Sequence, residues 1–204
     1  MALDTAAVAA WMADFAAVVH EQADYLTDLD RQIGDADHGS NMDRGMKAIL
    51  GLDVASFATP ADYLKKIGMT LVSTVGGASG PLYGTFFLRL GTTWPADEDA
   101  VALGKALHAG LDGILLRGKA QVGDKTMVDA LTPALAAYDA HEGEGIAAAL
   151  AAAVAACAEG RDATVPLVAR KGRASYLGER SAGHLDPGSA SATMLLESAG
   201  RTLA

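Results

Sequence analysis

Asp30-Arg31-Gln32-Ile33-Gly34-Asp35-Ala36-Asp37-His38-Gly39-Ser40-Asn41-Met42-Asp43 is the densest polar stretch of the chain. Asp30, Asp35 and Asp37 fall within eight residues, and His38, Gly39, Ser40 and Asn41 follow at once. Carboxylates this close repel one another unless water or cations separate them. An oxygen-rich cluster with no cysteine nearby suits a hard ion such as Mg²⁺. Asp35 and Asp37 are two apart, so in extended backbone they point to one side. Gly34 and Gly39 bracket them and permit a tight or positive-φ loop around an ion. A solvated acidic loop after a helix is the competing reading. The run His-Gly-Ser-Asn weighs against it, because it supplies donors of the kind a phosphate needs.

The rest of the chain reads as helices. Half of the 204 residues are hydrophobic but only 5% are aromatic, and Ala, Leu, Val and Met dominate. Such a composition favours closely packed helices over a β-sandwich. The length predicts a single domain spanning 1–204. Val8, Trp11, Met12, Phe15, Val18, Val19 and Leu26 recur at helical spacing and predict one long helix, capped by Asp4 or Thr5, that runs to the acidic loop. A second helix is predicted from Ser40 or Asn41 through Leu50. Thr59-Pro60-Ala61-Asp62 opens a third that stops at Gly76-Gly77. Leu82 to Leu90, Asp97 to Leu116, a helix opened by Gly123-Asp124, Gly145 to Ala158, and a last helix from Asp186-Pro187-Gly188 complete about eight. Pro133 predicts a kink or an early break in its helix. The alanine-rich 145–158 helix offers a small face that lets neighbours approach.

Charge and composition exclude several functions. A net charge of −9 with no basic run argues against a nucleic-acid binder. An anionic ligand must then arrive with metal or land on backbone donors. No apolar run is long enough to span a membrane. The N-terminus lacks the basic region of a signal peptide. The lone Cys157 reads as a small buried hydrophobe, compatible with a reducing cytoplasm.

Four polar, glycine-bearing junctions stand at predicted helix starts: 35–41, 76–80, 118–126 and 186–191. Helix N-termini carry free N–H groups and partial positive charge, which suit phosphate. Gly76-Gly77-Ala78-Ser79-Gly80 reads either as a phosphate cradle or as an ordinary helix–helix turn. Neither a Walker A loop nor a Rossmann fingerprint is present. Arg173 could reach a phosphate, or simply pair with Glu179 or Asp186. His184 neighbours Asp186 and is read as orienting that loop. No Gly-x-Ser-x-Gly elbow supports a nucleophilic triad, and no catalytic residue is assigned on this chain.

Five motifs stand in order: Asp30 to Met42, Gly76 to Gly84, Gly123-Asp124-Lys125-Thr126-Met127-x-Asp129, Gly172 to Arg180, and Asp186-Pro187-Gly188. Together they resemble the nucleotide-binding L subunit of dihydroxyacetone kinase over nearly all the chain. The resemblance implies an all-α fold, a barrel of eight antiparallel helices with the nucleotide at one end. It implies Mg²⁺ on Asp30, Asp35 and Asp37, and phosphates approached by His38, Gly39, Ser40, Asn41, Ala78 and Ser79. Gly118, Met127, Arg173, Asp186, Pro187 and Gly188 would complete the ADP/ATP pocket. Met127 suits packing on a base, though it also reads as a plain core residue.

The resemblance also implies partners. A separate K subunit holds dihydroxyacetone, and a phosphocarrier M subunit of the sugar phosphotransferase system rephosphorylates bound ADP in place. The chain is short enough to match the stand-alone subunit, in the cytoplasm. Two other readings stay open: an ATP-dependent kinase subunit for a related ketose, and a nucleotide-dependent regulator of a transcription factor. A purely structural bundle leaves the acidic loop without cations. The oligomeric state, a homodimer included, is not legible. Charge sets the expected ion count. Three carboxylates and ADP bring about −6. One Mg²⁺ leaves about −4 and two leave about −2, so two ions are expected.

Overall fold

The computed structural model describes residues 2–95 and 99–204. Among them are nine α-helices, three 3-10 segments and no strand. The helices are α1 (Thr5–Glu21), α2 (Ala23–Ile33), α3 (His38–Leu50), α4 (Pro60–Thr74), α5 (Ser79–Thr93), α6 (Ala100–Gly118), α7 (Met127–His141), α8 (Ile146–Asp162) and α9 (Pro187–Thr202). The longest 3-10 segment, Arg173–Ser181, lies in the connection between α8 and α9.

The expected long first helix is two helices. The chain turns at Gln22 (φ −97, ψ 11). The break serves two different apolar surfaces. Val8, Trp11, Phe15 and Val19 of α1 enter the main core. Leu26 and Leu29 of α2 pack instead with Ala190 in a separate cluster. A straight helix could not present both faces. This split raises the count from the expected eight to nine.

Local chemistry sets most of the boundaries. Asp4 caps α1 by accepting from the Ala7 N–H at 2.9 Å, and Thr59 caps α4 with Pro60 at its first position. Asp99 caps α6 by accepting from Val101 and Ala102. The expected start at Asp97 lies outside the described residues. The next helix begins at Met127 rather than at Gly123, because Thr126 and Asp129 form a reciprocal capping box. Pro133 does not end that helix, which continues to His141. Its ring deprives the Asp129 carbonyl of a helical donor, and α8 passes there. A Cβ on Gly160 would lie 2.4 Å from that carbonyl.

Packing follows chain order. Each helix from α3 to α9 contacts the next, and α1 contacts both α3 and α9, so eight helices follow one another in a closed order. The remaining helix, α2, packs against α3, α9 and the 173–181 segment. Trp11 sits at the centre, fully buried. Its ring lies 5.7 Å from Phe87 and 6.3 Å from Trp94, and its Nε1–H donates to Leu195 O at 3.0 Å. Truncating such a residue costs about 3–5 kcal/mol. No helix of the described residues is long and apolar enough to cross a membrane.

Candidate functional site

One end of this arrangement opens into a cavity of about 440 Å³. The first residues of α3 (His38), α5 (Ser79), α7 (Met127) and α9 (Pro187) all line it, while α2 and α6 end there at Ile33 and Gly118. Four helix N-termini thus share one space. Two of them are not closed by their own side chains. Asp37 and Ala78, the cap residues of α3 and α5, make no capping hydrogen bond, whereas Thr126 and Asp186 cap α7 and α9. The positive helix ends at the cavity that no side chain of their own caps are therefore those of α3 and α5.

The acidic loop forms one wall. Asp30, Asp35 and Asp37 each offer a carboxylate oxygen, and these oxygens lie within 4.8 Å of one another. Asp30 is buried, and its Oδ2 accepts from the backbone N–H groups of Asp37 (2.8 Å) and His38 (3.2 Å). These bonds fold the loop back onto the end of α2. The positive φ of the loop falls on Ala36 (61°), not on a glycine. Gly34 has φ −141 and matters for space: a Cβ there would lie 2.0 Å from Asp30 Oδ1. Gly39 is helical, and a Cβ on it would lie 1.9 Å from the Ala23 carbonyl. Its absence of a side chain lets α3 close on α2.

The structure brings most of the expected site residues together. Asp30, Asp35, Asp37, His38, Ala78, Ser79, Gly118, Met127, Arg173, Asp186, Pro187 and Gly188 all line the cavity. Gly39, Ser40 and Asn41 do not. The Ser40 hydroxyl turns back to Asp37 O at 3.0 Å. Asn41 lies under the Gly76 turn, its Oδ1 accepting from Arg44 at 2.6 Å. What Gly39 and Ser40 keep free is their first-turn N–H groups, which have no partner among the described residues. Arg173 pairs with neither Glu179 nor Asp186; its Nε reaches Asp35 Oδ2 at 2.9 Å. The His184 ring bonds Gln32 at 2.7 Å.

A buried polar chain backs the cavity. His38 Nδ1 lies 3.1 Å from Ser79 Oγ, and its Nε2 lies 2.9 Å from Ser191 Oγ. Ser191 also meets the Tyr83 hydroxyl at 2.7 Å. Burial pushes the His38 pKa down against the opposing charges of Asp30 and Asp37. Burial thus favours the neutral ring, which meets the Ser79 hydroxyl at the start of α5. Burial also pushes Asp186 up to about 7, helped by the charges of Asp129 and Asp30 and opposed by the Ser189 N–H and by Lys125. Burial lowers the Lys125 ammonium while Asp186 and Asp129 raise it. Lys125, Asp129, Tyr83 and Ser191 carried no assigned role in the sequence. The Thr126-x-x-Asp129 spacing was the available signal for Asp129; nothing local marks Ser191.

The donor set fits a divalent cation: three clustered carboxylates, one of them held by two N–H groups and one by a single guanidinium. Leu82, Ile114, Gly118, Met127 and Val128 give the remaining lining an apolar or small part, and Arg117, Lys125 and Lys171 add cations to it. The DAK2 domain family matches residues 32–201. The chain is 41% identical over 202 residues to the PEP-dependent dihydroxyacetone kinase, ADP-binding subunit DhaL, of Escherichia coli (strain K12), covering 97% of this chain and 96% of that one.

The chain belongs to the DhaL family. A second relative, the PTS-dependent dihydroxyacetone kinase, ADP-binding subunit DhaL, of Lactococcus lactis subsp. lactis (strain IL1403), is 45% identical over 188 residues and covers 92% of each chain. Among solved structures, the dihydroxyacetone kinase from C. freundii in complex with AMP-PNP and Mg²⁺ superposes with a TM-score of 0.72 at 28% identity. That alignment covers 96% of this chain and 34% of the other. DhaL-family membership agrees with the all-helical fold.

Proposed function

We propose that this chain is the nucleotide-binding subunit of a dihydroxyacetone kinase, holding ADP or ATP with Mg²⁺ at the end of the helical assembly. The observation that carries the reading is the meeting of Asp30, Asp35 and Asp37 with four helix N-termini around one cavity. The relatives described as ADP-binding subunits align along nearly their whole length, and the AMP-PNP and Mg²⁺ complex of the C. freundii kinase supports the pairing of nucleotide with metal.

The residues divide the work by chemistry. Asp30, Asp35 and Asp37 hold two Mg²⁺ ions, which offset the phosphate charge and that developing on the phosphoryl group in flight. The open N–H groups of Gly39, Ser40 and the first turn of α5 meet phosphate oxygens, and the Ser79 hydroxyl adds a donor. Arg173 adds a planar cation. Met127, Leu82 and Gly118 pack on the base, with Asp186-Pro187-Gly188 closing the pocket. This chain contributes no nucleophile. The acceptor hydroxyl comes from dihydroxyacetone on a K subunit, and a phosphocarrier M subunit recharges ADP without its release. The reaction is cytoplasmic in this reading, in keeping with the single reduced cysteine.

Reconstitution tests it. The purified chain, mixed with a K subunit, dihydroxyacetone and a phosphorylated carrier, is expected to form dihydroxyacetone phosphate with only catalytic ADP. Turnover that needs stoichiometric ATP and ignores the carrier would exclude the carrier-dependent branch.

A further inference from the structure

Lys125 is a buried charged side chain that this reading leaves without a role. It is 1% exposed and lines the cavity from behind. Four backbone carbonyls surround its Nζ, His184 at 2.5 Å, Thr164 at 2.8 Å, Leu167 at 3.1 Å and Val165 at 3.2 Å, so all three N–H donors are taken and one is shared. Its backbone sits at φ 62, a conformation that a non-glycine residue keeps only where the surroundings over-determine it. A buried ammonium is tolerated only when its protons are taken up, and here backbone oxygens take them.

Those oxygens belong to the two stems of one strap. Residues 164–167 lead out of α8, and residue 184 leads back toward α9. Between them the strap carries Lys171, Gly172, Arg173 and Ala174 to the cavity rim. The strap has little core of its own, since most of residues 171–180 are exposed or half-buried. Farther out, Ala169 N–H donates to Ser181 Oγ, Arg173 pairs with Asp35 and the 173–181 segment packs on α2, while the remaining ties lie near the stems. Gly183 N–H donates to Val165 O at 2.8 Å, Arg170 N–H to Asp124 O at 3.0 Å, and Asp186 N–H to Thr164 Oγ1 at 3.1 Å. His184 is two residues from Asp186, so the stem position also sets the start of α9.

We infer that Lys125 is a positioning residue: its ammonium clasps both stems of the 164–184 strap and thereby places Arg173 and the Asp186-Pro187-Gly188 turn at the nucleotide cavity. The inference rests on the cavity being the nucleotide site. The clasp itself can be read without any nucleotide.

The test uses the full chain in two variants. Lys125→Met keeps the apolar stem and removes the N–H donors. Lys125→Ala also leaves space for a small alkylammonium ion. Hydrogen exchange of the free protein reads the clasp, and ADP titration with Mg²⁺ reads its coupling to the site. In Lys125→Met the Gly183 and Arg170 amides are expected to exchange about tenfold faster or more, with α1 and α5 unchanged, and the ADP dissociation constant to rise about tenfold or more. In Lys125→Ala, propylammonium is expected to restore both readouts, and tetramethylammonium, which has no N–H donor, neither. Rescue of affinity by one ion and not the other is a response that a general loss of packing would not give. Unchanged strap exchange in Lys125→Met overturns the inference. So does a loosened strap with unchanged ADP affinity, or a folded Lys125→Ala that ignores propylammonium. If Lys125→Ala does not fold, Lys125→Met alone decides. Wild-type protein that fails to bind ADP removes the nucleotide reading and the positioning role with it, while the exchange arm still decides whether Lys125 holds the strap.

Discussion

Arg173 Nε sits 2.9 Å from Asp35 Oδ2, joining the strap between α8 and α9 to the acidic loop before α3. The two side chains are 66% and 35% exposed, and pairs this open are worth about 1 kcal/mol at most. A cation entering the carboxylate cluster competes with that guanidinium. Arg173→Ala is expected to tighten Mn²⁺ binding in the absence of nucleotide by up to about fivefold. The same change is expected to weaken ADP binding with Mg²⁺ by about tenfold, through loss of a charge-assisted contact. Calorimetric titrations of metal and of nucleotide separate the two effects, and identical affinities in both would contradict this role.

The three aspartates should differ in stability while sharing a binding defect. Asp30 accepts from two N–H groups, so Asp30→Ala leaves them unpaired at a cost of about 1–3 kcal/mol. Asp35 and Asp37 have no such burden, and Asp35→Ala or Asp37→Ala should stay within about 1 kcal/mol of wild type in urea unfolding. All three substitutions are expected to abolish tight ADP binding with helical circular dichroism retained. Equal stability losses would place Asp30 elsewhere than in the loop closure described above.

Asp186 supplies the pH dependence. Its carboxyl is pushed up to about 7 in the folded protein, above the roughly 3.9 of an unfolded chain. The folded state therefore holds a proton that the unfolded chain releases. The contribution is fully present below about pH 4 and is lost as pH rises through about 7. Asp186→Asn keeps a capping oxygen and removes the titration. Its stability relative to wild type should rise between pH 5 and pH 8, on the order of 2–3 kcal/mol, in nucleotide-free unfolding experiments. A difference independent of pH would rule out a raised Asp186.

Two glycines give a packing test. A Cβ on Gly39 would lie 1.9 Å from a backbone carbonyl, whereas one on Gly143 meets nothing within 4 Å. Gly39→Ala must push α3 off α2 and is expected to cost about 2 kcal/mol or more. Gly143→Ala should lie within about 0.5 kcal/mol of wild type. Thermal melts of the pair measure the difference.

The caps and apolar periodicity make most of the fold legible in the sequence. Asp4, Thr59 and Asp186 sit where their chemistry puts a helix start. The break at Gln22 was not legible, because apolar spacing alone does not tell which of two cores Leu26 will join. The acidic cluster was legible from residue type, and its partners were not. Arg173 is 138 residues from Asp35 in sequence, and only the return of the strap brings them together. Lys125 stood inside a recognised motif, yet its clasp depends on carbonyls from residues 164–184, which carry no side-chain signal at all.

The central claim is that divalent cations join a nucleotide's phosphates to Asp30, Asp35 and Asp37. Calorimetric titration of the purified chain with ADP, first with Mg²⁺ and then with excess chelator, measures this directly. Tight binding with Mg²⁺ that is lost on chelation is the predicted result. An ADP affinity that survives the chelator unchanged would contradict it.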